Sequence, residues 1–66
     1  MGKIRRGGYV FEWWIGDHEP RHVHISRMDG RILGRVIVAT GKAMDAWIPP
    51  RKVLQIIEEL HNEGRL

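Results

Sequence analysis

A chain of 66 residues without cysteine allows one small domain with a marginal core, since about 40% of the unfolded surface stays exposed at this size. It also excludes a disulfide framework, a thiolate metal site and a cysteine nucleophile. Eleven basic residues against eight acidic ones give a net charge of +3, and the excess falls in residues 1–35, which fits either a nucleic acid or acidic protein partner or ordinary surface solvation.

The longest uncharged stretch, 36–41, is far short of a membrane span. Glu12 and Asp17 interrupt the apolar run behind the basic start, which argues against a signal peptide. A small domain without disulfides is expected in the cytoplasm.

In chain order, residues 1–8 read as a flexible basic arm carrying Lys3, Arg5 and Arg6, ended by Gly7-Gly8. Residues 9–15 are aromatic and β-branched and read as a strand, with Phe11 and Trp13 on one face and Val10, Glu12 and Trp14 on the other. A loop covers 16–20. Residues 21–27 alternate again, with Val23 and Ile25 on one side and His22, His24 and Ser26 on the other. Asp29-Gly30 is a two-residue type I′ hairpin signal leading into a third strand over 31–39. Residues 43–48 show no period, and Trp47 is expected to close one end of the core. Pro49-Pro50 opens a helix over 50–63, where Val53, Leu54, Ile56, Ile57 and Leu60 form an apolar stripe that Gly64 stops. No side chain stands ready to cap its start.

The expectation is therefore an α+β domain over residues 1–66. A three-stranded antiparallel meander over 9–39 carries one C-terminal helix on one face. Turn geometry sets the register. A symmetric loop at 16–20 pairs Phe11 with Ile25 and Glu12 with His24, while the Asp29-Gly30 turn pairs His24 with Arg35 and Val23 with Val36. Phe11, Trp13, Val23, Ile25, Ile32, Val36 and Val38 then share the core face. Glu12, Trp14, His22, His24, Ser26 and Arg35 share the open face, with Leu33 and Ile37 beside them.

Three of the four histidines lie between Asp17 and Ile25. His22 and His24, two apart on a strand, project from one face. Two imidazoles there can serve as acid and base in RNA cleavage, with Arg21 or Arg35 stabilising charge on phosphorus. They can supply two nitrogens to a metal, completed by Asp17, His18 or Glu12, although His-x-His alone is a weak metal signal and none is assigned. They can also bind an anion or a partner surface, or form a solvated charge ladder Glu12–His24–Arg35 with no further role. Ser26, the sole serine, lacks an oxyanion-hole motif, and Gly41-Lys42 lacks the spacing of a phosphate loop.

The run Asp17-His18-Glu19-Pro20-Arg21-His22-Val23-His24 resembles the domain-of-unknown-function family numbered 4160, whose hallmark is Asp-His-x-Pro-Pro-His-Val-His. The likeness extends from Gly8 through the Asp29-Gly30 turn to the C-terminal helix, and Arg21 stands where the family often has a second proline. Genes of that bacterial family often neighbour those of a second one, numbered 2442, and the pairing implies toxin–antitoxin modules. The resemblance implies no established reaction. The positions it implies for a site are Asp17, His18, His22 and His24.

Two functions are carried forward. One is a toxin-like protein acting on RNA or translation and neutralised by an antitoxin-like partner protein. Its site is His22 and His24, with Asp17, His18, Arg21, Glu12, Trp14 and Arg35 binding. The other is a non-catalytic interaction module or homodimer joined through the open face, where Trp14 and Ile37 leave apolar area. Arginines around the histidines favour the first, because the centre of a dimer face is depleted of charge.

Overall fold

Gly7 and Gly8 adopt φ angles of 63° and 87°. Two left-handed residues in succession make a type I′ turn, the tightest connection between antiparallel strands. The supposed arm therefore folds back as a strand. The computed structural model describes residues 2–14 and 21–66. Its elements are β1 (Gly2–Arg6), β2 (Tyr9–Trp13), β3 (His22–Arg27), β4 (Ile32–Ile37) and α1 (Arg51–Asn62). The α+β class and the C-terminal helix are as expected. The sheet has four antiparallel strands in chain order, not three.

The pairings Phe11–Ile25 and Glu12–His24 across β2 and β3, and Val23–Val36 and His24–Arg35 across β3 and β4, are those expected from the turns. The hairpin between β3 and β4 differs. Gly30 N–H donates to Arg27 O at 2.9 Å and Arg27 N–H to Arg31 O at 2.8 Å. The loop is thus three residues, 28–30, with Gly30 at φ 94°. The shift is corrected by a bulge that sets Ser26 opposite Ile32 but Ile25 opposite Gly34. Its effect is local and decisive. Ile32, expected in the core, is 81% exposed, whereas Leu33, expected on the open face, packs against the core.

The core joins Phe11, Trp13, Val23, Ile25 and Val36 of the sheet to Val53, Ile56, Ile57 and Leu60 of α1. Each such side chain stabilises the fold by roughly 1.5–3 kcal/mol when fully buried. Leu54 and Val38 pack at its margin. The helix starts at Pro50 without a side-chain cap. At its end Gly64 N–H donates to His61 O and Arg65 N–H to Leu60 O. This Schellman closure turns Leu66 back into the core, at 7% exposure. Arg6 ties β1 to α1, with Nη1 at 2.8 Å from Glu63 Oε2 and 3.4 Å from Glu59 Oε1.

Residues 43–48, aperiodic in sequence, have a clear role. The chain reverses after β4, Ala43 bridges to Val36, and Met44 N–H donates to Arg35 O. This segment covers the β4 edge. Trp47 then packs on the core, its indole N–H donating to Arg35 O at 3.4 Å. Among the described residues no helix is long and apolar enough to cross a membrane.

Candidate functional site

The face of the sheet opposite α1 carries the candidate residues. Val23 and Ile25 are fully buried, so alternation along β3 turns His22, His24 and Ser26 outward. The rings of His22 and His24 lie with centroids 5.0 Å apart, and Trp14 meets His24 edge-on at 4.8 Å. Glu12 and Arg35 flank His24 on either side, as the register required. Asp17 and His18 lie outside the described residues. Arg21 is exposed just before β3, where its carbonyl accepts from Val38 N–H.

Arg35 has a partner that sequence reasoning missed. Asp45 Oδ1 lies 2.9 Å from Arg35 Nη2, and Asp45 Oδ2 accepts from both Arg35 N–H at 2.9 Å and Nε–H at 3.3 Å. The guanidinium is thus directed toward its own chain. Nothing local in sequence linked the two, because residues 43–48 gave no period. Asp45 is held below its ordinary value of 3.8, chiefly by the side-chain hydrogen bond to Arg35. A depressed carboxyl adds stability above its unfolded value, and that contribution is lost as the pH falls through the folded one. Glu63, held low by Arg6 and then Arg65, follows the same sign. Asp45→Asn should therefore melt below the parent at neutral pH, and the two melting curves should converge as the pH drops below about 4. A constant gap at every pH would remove the ion pair as its cause.

The cations that do face the open surface were also missed. Lys3 and Arg5, read as part of a solvated arm, stand opposite Glu12 and Val10 in the β1–β2 pairing. With Trp14, His24, Met28 and Ile32 they line a groove of about 460 Å³. The signal that could have placed them was Gly7-Gly8, a hairpin dipeptide set between the basic run and the first recognised strand. Val10, with Glu12 as expected, lies on this face yet is only 8% exposed. It is a small apolar floor separate from the core. Among the described residues no group of three or more His, Asp or Glu side chains is placed to hold a metal ion.

Comparison of the chain with family models, with curated proteins and with solved structures returned no match.

Proposed function

We propose that the open face of the sheet binds and cleaves RNA, and that the protein is a toxin-like component silenced by a partner protein that covers this face. The observation that carries the reading is the His22–His24 ring pair, 5.0 Å apart, beside Trp14 and on the same face as the cations of β1, from which β2 separates it. One imidazole takes the proton of a ribose 2′-hydroxyl, whose oxygen attacks the adjacent phosphorus. The bond from phosphorus to the 5′-oxygen breaks, and the other imidazole gives that oxygen a proton. Trp14, 39% exposed, offers an aromatic face or edge to a base. Lys3, Arg5, Arg21 and Arg27, rather than Arg35, are exposed cations available to phosphate. The resemblance to family 4160 supports the toxin-like role and agrees with the positions of His22 and His24.

Expression alone should arrest growth, with relief from the neighbouring gene product. His22→Ala and His24→Ala should each lower RNA cleavage about a hundredfold or more while shifting stability by about 1 kcal/mol at most. Stable variants with undiminished cleavage would remove the histidines from the chemistry. The exposed Ile32 beside Met28 favours a second reading, a non-catalytic module or homodimer joined through this face. A chain that neither arrests growth nor cleaves RNA, and that elutes as a dimer dissociated by Ile32→Ser, would establish that reading instead.

A further inference from the structure

The two edges of the sheet are treated differently. The β4 edge is covered by the Ala43–Val36 bridge and the Met44 to Arg35 hydrogen bond. Among the described residues, β1 pairs with β2 on one side and with no strand on the other.

The type I′ turn determines which backbone groups that edge presents. Arg6 and Tyr9 flank the two-residue loop and form its closing hydrogen-bonded pair. The antiparallel ladder alternates from there, so Ile4 and Gly2 also turn their amides inward to β2. Lys3 and Arg5 are the non-hydrogen-bonded positions, and their N–H and C=O groups point outward along the open edge. Their side chains project to the open face and are exposed. On the other side Arg6, tied to Glu59 and Glu63, holds the strand against α1. The edge is extended, anchored and cationic.

We propose that this edge receives an extended acidic segment of a partner protein as an added strand, with carboxylates opposite Lys3 and Arg5. The proposal rests on the partner-binding half of the reading above and names how that partner is held. An incoming strand paired at Lys3 and Arg5 satisfies four outward backbone groups. Its side chains at those positions lie on the open face within reach of both cations, and the residue between them faces the half-buried Ile4. The recognised pattern is acid, apolar, acid. A second copy of this chain is disfavoured, because antiparallel pairing of two β1 strands about Ile4 sets Lys3 against Arg5, like charges directly opposed. The two cations are unequal. Lys3 already faces Glu12, whereas Arg5 faces Val10, so Arg5 dominates.

The test uses a capped peptide, Thr-Glu-Ile-Glu-Ile-Glu-Thr, titrated into the full chain while backbone amide resonances are followed. Binding should shift the Lys3 and Arg5 amides and slow their hydrogen exchange. Arg5→Glu should weaken it about tenfold or more and Lys3→Glu by less. N-methylation of all three glutamates should abolish binding with the protein unchanged, which keeps the test independent of any folding defect. No binding, equal binding of a lysine-for-glutamate peptide, or equal binding of the N-methylated peptide would overturn the proposal. So would single-stranded RNA shifting the same amides when the peptide does not. The probe contains no RNA, so its failure leaves the histidine chemistry standing, and loss of that chemistry leaves this result standing.

Discussion

Val23→Asp should abolish the cooperative thermal transition. Val23 is the second residue of β3 and has no exposed surface; it lies opposite Val36 and within the cluster that joins the sheet to α1. A carboxylate there has no partner, and burying one costs several kcal/mol or forces its protonation. A 66-residue domain has only about 3–10 kcal/mol of total stability. The penalty and the lost valine packing together consume that margin. The same substitution one residue on, His24→Asp, places the carboxylate on the open face beside Arg35, and the transition should survive. Circular dichroism melts of the two variants, side by side, check the assignment of faces. If Val23→Asp melts like the parent, or His24→Asp does not fold, the alternation along β3 is wrong.

Gly34→Val should be nearly as damaging, for a different reason. Gly34 occupies the core-facing position opposite Ile25, and a Cβ placed on it would overlap the indole of Trp47. Any larger side chain must displace that ring, which breaks its contact with the core and its hydrogen bond to Arg35 O. Overpacking alone costs about 1–3 kcal/mol, and release of a large aromatic from a core about 3–5 kcal/mol. The two changes are coupled through one volume. In a Trp47→Ala background the space is vacant, and Gly34→Val should cost less than in the parent, the remainder being the backbone strain of a β-branched residue at φ 158°. A double-mutant cycle measures this directly. Additive effects would show that Trp47 and Gly34 do not share the site.

Residues whose neighbours in space are set by periodicity were legible in the sequence. The stripe of α1 and the in–out alternation of β2 and β3 gave the core face, and two turns set a register that placed Glu12, His24 and Arg35 in one row. Three features escaped, each for a physical reason. Gly7-Gly8 is a hairpin signal only when both flanks are strands, and a single apolar residue in β1, Ile4, is too weak a pattern to declare one. Asp29-Gly30 fits a two-residue turn and a three-residue turn with a left-handed glycine equally well. The choice between them, with the bulge that follows, decides whether Ile32 or Leu33 faces the core. The Arg35–Asp45 pair depends on the chain doubling back past β4. That reversal is stabilised by contacts that leave no repeat in the sequence.

Sequential strand order has a kinetic consequence. Every neighbour in the sheet is also a neighbour along the chain, so β1–β2, β2–β3 and β3–β4 can each close over a short loop at small entropic cost. Few pairings must wait for distant segments to meet, and topologies of this kind fold in the fast range for sheet proteins. The exception is α1, which reaches back across the whole meander to join Arg6 with Glu59 and Glu63. Docking of the helix is therefore the step that converts loosely formed hairpins into a cooperative unit. Substitutions on its buried stripe should slow folding most if docking is rate-limiting, and speed unfolding most if the hairpins alone form the transition state.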